Sequence, residues 1–141
     1  MHCSGSGGTQ AGLVVGVRMA LPKARVVGID IDAEPERVRA DVVAYAKGAA
    51  DLLGLPFDAA DVDVVAGHAG PAYGVPHQAT IEAIKLGARL EGLVLDPVYS
   101  GKGLAGLIAL IQSGRWTKDQ DMVFIHTGGA PSLFVYGHLF D

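Results

Sequence analysis

Short apolar runs alternate along the chain with longer stretches in which apolar residues recur every three or four positions. The short runs at 25–31, 63–66, 93–95 and 122–126 predict buried strands, and the chain opens inside a further strand. The longer stretches predict helices over 9–19, 32–53, 78–91 and 102–112, with a short helix closing the chain. In the second helix, Glu34, Pro35 and Glu36 occupy the first turn, where acids and proline are favoured. Its apolar positions are Val38, Val42, Tyr45, Ala46, Ala49, Leu52 and Leu53, and Gly54 and Pro56 end it. In the third, Ile81, Ile84, Lys85 and Ala88 share one side. Strand and helix alternate with short links. That order predicts a single α/β domain over residues 1–141, a parallel sheet covered by helices on both faces and joined by right-handed crossovers.

Composition narrows the class. Half of the 141 residues are apolar, which suits strands buried on both faces or an additional interface. No apolar run reaches membrane-spanning length and no charged segment leads into an apolar one, so no membrane partner is expected. The formal net charge of −4, with scattered basic residues, argues against a nucleic-acid partner. A single cysteine, Cys3, excludes an internal disulfide and fits a cytoplasmic location; it reads as a small apolar residue ending a strand.

The candidate chemistry lies in the loops. Residues 3–12 read Cys-Ser-Gly-Ser-Gly-Gly-Thr-Gln-Ala-Gly and run straight into a helix. Glycines there let successive N–H groups converge, and a helix N-terminus adds unpaired amides and the positive end of its dipole. Such an array binds a phosphate without a cationic side chain. A P-loop is excluded because Leu13 follows Gly12. A dinucleotide fingerprint fits Gly5 and Gly7 but meets Gln10 at its third glycine; Asp30, at the end of a predicted strand, keeps that alternative open. Four informative loops, 5–9, 67–76, 96–102 and 127–131, all fall at the C-terminal ends of predicted strands, where such sheets bind ligands.

Tyr73 sits in a stiff Gly-Pro-rich loop and reads either as a proton-exchanging or stacking phenol or as a plug for the core. Tyr99 precedes the fourth helix and could cover a flat ring. Ser100 reads either as a helix cap or as a hydroxyl meeting a ring nitrogen. His68, His77 and His126 lack metal-ligand spacing; His126 reads as a packed core histidine and His77 as the start of a helix. Asp96, before Pro97, fixes a turn.

The segments 3–12, 70–76, 96–102 and 126–131 together resemble the D-cysteine desulfhydrase and 1-aminocyclopropane-1-carboxylate deaminase family, pyridoxal-phosphate enzymes of the tryptophan-synthase-β fold; L-cysteate sulfo-lyases look similar. The resemblance implies that Gly5, Ser6, Gly7, Gly8 and Thr9 hold the phosphate of pyridoxal 5'-phosphate. It implies that Tyr99 lies against the pyridine ring, that Ser100 meets its nitrogen and that Tyr73 stands beside a small amino-acid substrate in an acid–base or orienting role. The deaminases carry glutamate where this chain has Ser100. A neutral hydroxyl makes the ring a weaker electron sink. The expected reaction is therefore α,β-elimination from D-cysteine or L-cysteate to pyruvate and ammonia, with cyclopropane deamination as the alternative. Members of the family are well over twice this length. The resemblance thus makes this chain the C-terminal part, without the Schiff-base lysine, which neither Lys85 nor Lys102 matches. It is expected to be inactive alone and homodimeric in full-length form. The rival of another class is a non-catalytic domain binding a phosphometabolite or dinucleotide.

Overall fold

A computed structural model describes residues 1–140. The elements are β1 (His2–Ser4), α1 (Gly8–Ala20), β2 (Val27–Asp30), α2 (Pro35–Leu53), β3 (Asp63–Val65), α3 (Gln78–Glu91), α4 (Ser100–Gln112) and α5 (Ala130–Val135). The strands form one parallel sheet in the order β1-β2-β3, with Cys3 opposite Ile29 and Ile29 opposite Val65. Every residue of β1 and β2 is buried, as strands covered on both faces require.

Helices α1 and α2 pack together on one face, around Ala11, Val15, Val38, Val42, Ala46 and Ala50. Helix α4 lies on the other face and α3 packs against it. Two glycines one turn apart seat α4. A Cβ at Gly106 would stand 2.8 Å from Ile29 Cδ1, and one at Gly103 would stand 3.4 Å from Cys3 Cβ. Any side chain there would lift the helix off the sheet. In α2 the buried seam is Val38, Val42, Ala46 and Ala50 at a strict four-residue spacing. Tyr45, Leu52 and Leu53, expected on it, are exposed. The seam needs only one narrow face, and Tyr45, Leu52 and Leu53 fall outside its four-residue spacing.

The expected strands at 93–95 and 122–126 are not strands. Leu93 donates to Gly87 O, which closes α3, and the Val94 carbonyl pairs with the His126 ring. Those groups are therefore unavailable to a ladder. The second segment does run beside β1: the Met1 amine donates to Val123 O at 2.6 Å and Ile125 N donates to Met1 O at 2.8 Å. No helix is long and apolar enough to cross a membrane among the described residues.

Candidate active site

The 5–9 loop leaves β1 and enters α1 through Gly7, whose φ of 82° is left-handed. Glycine adopts that conformation without the penalty other residues meet. Space also demands it, because a Cβ on Gly7 would stand 3.1 Å from the Val42 amide of α2. Gly7 brings no side chain to cap the helix. The first intrahelical bond is Ala11 N to Gly7 O, so the amides of Gly8, Thr9 and Gln10 have no intrahelical acceptor. The loop thus has the expected local form, a glycine turn running straight into a helix with unpaired first-turn amides.

Beneath it the polar side chains are unusually short of partners. On β1, His2 and Ser4 face α1 while Cys3 faces α4. Neither ring nitrogen of His2, nor Ser4 Oγ, nor Gln10 Oε1 has a hydrogen-bond partner among the described residues, and all are buried. Burial pulls the His2 pKa down to about 4, so the ring is neutral at neutral pH. Gln10 Nε2 donates to Asp63 O at 2.8 Å, and its side chain lies over Gly28, where a Cβ would collide with it.

Helix α4 begins differently. Asp96, fully buried, accepts from the amides of Val98, Tyr99 and Ser100, each at 2.9 Å. Its carboxylate also accepts from Ser100 Oγ at 2.6 Å and Ser132 Oγ at 2.8 Å. Asp96 thus does more than fix a turn. It fastens the start of α4 to the first turn of α5 through Ser132, and Gly129, the cap of α5, leaves room for its carboxylate.

Both helix ends open on one cavity of about 500 Å3, a volume ordinary for a small-molecule site. Its walls come from all four predicted loops, including Ser6 and Thr9, Tyr73, Tyr99 and Thr127 to Gly129. Tyr73 and Tyr99 meet edge to face with ring centroids 5.8 Å apart and their hydroxyls hydrogen-bonded. That bond to Tyr99, with burial adding to it, pushes the Tyr73 phenol up to about 12, so it is a proton donor at neutral pH. Arg37 reaches the rim, paired with Asp32, Glu34 and Asp41, which leaves it little free charge. Burial pushes the Cys3 thiol up, as suits a packing residue beside Thr127.

Several expected residues stand elsewhere. Ser100 is fully buried and outside the cavity wall; its hydroxyl donates to Asp96 Oδ1 and accepts from the Asp96 amide at 2.9 Å. Gly8 is exposed and presents only its amide beside the cavity. His126 is exposed, not a core residue; its Nδ1 accepts from Gly128 N at 3.2 Å. Asp30 is buried with Oδ1 accepting from Asp32 N at 2.8 Å, and Gln10 fills the space above Gly28. A ribose has no access there, which counts against the dinucleotide alternative. The pattern also missed Lys102, buried behind Tyr73, because a lysine in a helix ordinarily signals a solvated face.

The cavity suits a planar phosphate ester. Residues of the glycine loop, an unpaired, buried Ser4 Oγ and two phenol rings line it together. Its backbone donors are helix N-terminal amides, the groups by which helix ends hold phosphate, and the Arg37 guanidinium at the rim is already paired with carboxylates. Comparisons with known proteins agree. Residues 1–128 match the family described as pyridoxal-phosphate dependent enzyme. The chain is 44% identical over 140 residues to a 1-aminocyclopropane-1-carboxylate deaminase of Variovorax paradoxus (strain S110), covering 98% of this chain and 41% of that protein. It is 44% identical to one of Methylobacterium nodulans, covering 42% of it. A crystal structure of a homologue of that deaminase superposes with a TM-score of 0.87 at 32% identity, over 99% of this chain and 42% of that one. The chain therefore spans about two-fifths of the length of the curated relatives it matches. Those relatives bear the name of the alternative activity, not of the sulfur-amino-acid elimination that Ser100 suggested. A family match over residues 1–128 and a shared fold lead to one conclusion: this chain belongs to the pyridoxal-phosphate dependent enzyme family.

Proposed function

We propose that this chain supplies the cofactor-phosphate cradle and one wall of the substrate site in a deaminase acting on 1-aminocyclopropane-1-carboxylate or a close analogue. The observation that carries the proposal is the cavity lined both by the glycine loop at the start of α1 and by the hydrogen-bonded Tyr73–Tyr99 pair. The names of the relatives supply the substrate class. In this reading the amides of the 5–9 loop, with the Ser6 and Thr9 hydroxyls, hold the cofactor phosphate, and Tyr99 faces its ring. Pyridoxal phosphate, when bound, withdraws electrons from the bonds of an amino acid's α-carbon. Tyr73, protonated at neutral pH, donates a hydrogen bond or a proton beside the substrate, and Tyr99 orients its hydroxyl.

One observation favours a second reading. Position 100 carries an uncharged hydroxyl, which suits elimination of sulfide or sulfite from a small sulfur amino acid. Here that hydroxyl is bonded to Asp96, so an effect on the ring requires it to turn away. Exchanging Ser100 for Glu is a poor test, since it would set two buried carboxylates side by side. A substrate panel discriminates directly. The enzyme in its naturally occurring form is given 1-aminocyclopropane-1-carboxylate, D-cysteine and L-cysteate. Ammonia with a four-carbon oxo acid from the first supports the deaminase. Pyruvate from either sulfur compound, with no turnover of the first, replaces it with the second reading. Failure to bind pyridoxal phosphate at all would sink both.

A further inference from the structure

Lys102 is the third residue of α4 and is fully buried. A lysine is costly there on two counts. Burial penalises its charge, and the positive end of the helix dipole repels it. It forms no salt bridge with a carboxylate among the described residues. Instead its Nζ donates to Ile31 O at 3.1 Å and to Ala72 O at 3.1 Å. Asp30, Asp32 and Asp96 supply only longer-range support against desolvation. Methionine would fill the same volume without these costs, so packing alone does not explain the residue.

The two carbonyls do. Ile31 directly follows β2, and Ala72 opens the tight turn that carries Tyr73, closed by Val75 N donating to Ala72 O at 3.1 Å. Tyr99, the residue before α4, is three positions from Lys102. One turn of one helix therefore holds both Tyr99 and the ammonium that grips Tyr73's turn. We propose that Lys102 is a positioning residue: its ammonium, bonded to the Ala72 and Ile31 carbonyls, locks the Tyr73 turn so that the Tyr73 and Tyr99 hydroxyls meet at the mouth of the cavity. The proposal rests on the reading that these two tyrosines border the site.

The test follows the tyrosines in the full chain labelled with 3-fluorotyrosine. Its four fluorine signals are assigned by single Tyr→Phe changes. Tyr99→Phe should shift the Tyr73 signal; if it does not, the two phenols are not in contact and the reading of the site fails. With that contact established, Lys102→Met should move the Tyr73 signal to the position it takes in Tyr99→Phe. The signal of Tyr45, distant on α2, should stay in place. A general loss of structure would move all four. An unmoved Tyr73 signal in a folded Lys102→Met chain overturns the clamp and leaves the site reading standing. If circular dichroism shows that Lys102→Met does not fold, the unsubstituted chain decides. With 15N-lysine labelling, the Lys102 ammonium should exchange slowly and show cross-peaks to the Ala72–Tyr73 turn. An ammonium exchanging as fast as those of the other lysines overturns the proposal.

Discussion

The N-termini of α1 and α4 face the same cavity and differ in what meets their free amides. At α4 the protein supplies the anion itself: the Asp96 carboxylate accepts from three successive amides and two serine hydroxyls. At α1 the cap is Gly7, which offers no acceptor, and the side chains beneath it are left unpaired. The physics is one: a helix N-terminus favours negative charge. An internal carboxylate makes one end a structural joint. Its absence at the other leaves the amides of Gly8, Thr9 and Gln10 without an acceptor among the described residues. The comparison also explains why Ser100, a residue of the closed end, has no hydroxyl proton to offer the cavity.

The largest effect that could break this comparison is at Asp96. Asp96→Ala should leave buried amides and hydroxyls without acceptors and cost about 3 kcal/mol or more. Urea denaturation would show it. Asp96→Asn, which keeps one acceptor oxygen, should lose clearly less. If alanine costs no more than an ordinary surface change, α4 is not closed by its carboxylate.

The open end should be sensitive to acid. The folded state holds His2 neutral down to about pH 4, against an ordinary value of 6.5. The unfolded chain thus takes up a proton first as pH falls. Stability should be unaffected by this group above pH 6.5 and should decline from there to about pH 4, by on the order of 3 kcal/mol. Denaturation at a series of pH values should show that slope, and His2→Val should flatten it. Identical slopes in the two proteins would mean that the His2 ring is solvated.

Gly7→Ala sharpens the comparison at the cradle itself. A left-handed residue with a Cβ costs roughly 1–2 kcal/mol, and the Cβ crowds the Val42 amide. Affinity for inorganic phosphate or pyridoxal phosphate, read by calorimetry, should fall roughly tenfold as the loop shifts. Gly12→Ala, in the same helix and facing open space, should stabilise by up to about 1 kcal/mol and leave binding unchanged. Equal losses at both positions would show that the loop geometry is not what binds the anion.

The smallest effect is expected at Ser100→Ala. It removes one side chain from the Asp96 network, at about 1 kcal/mol. Phosphate affinity should not change. A marked loss of affinity would put the Ser100 hydroxyl in the site after all and revive its role at the ring.

Much of this was legible in the linear chain, and the pattern of success is informative. Helix 78–91 matches the observed bounds, because His77 in extended backbone precedes it and Gly92 in a left-handed conformation follows. The 5–9 loop was legible because glycine spacing is a local signal of backbone conformation. The strands at 93–95 and 122–126 were not, since a short apolar run does not reveal whether its carbonyls will find a ladder or a histidine ring.

The sequence by itself determined the alternating βα order from β1 to β3, the glycine-lined entry to α1 and the meeting of four loops at one cavity. These follow from local propensity and from the handedness of crossovers, which act within neighbouring residues. Only the tertiary structure decided that Asp96 closes α4, that Ser100 turns inward to it, and that Lys102 grips the loop of Tyr73. Each depends on which polar group is nearest once distant segments pack. The Lys102–Ala72 bond joins residues 30 positions apart. Burial then gives such contacts their weight, because a charge removed from water must find partners wherever the fold has placed them.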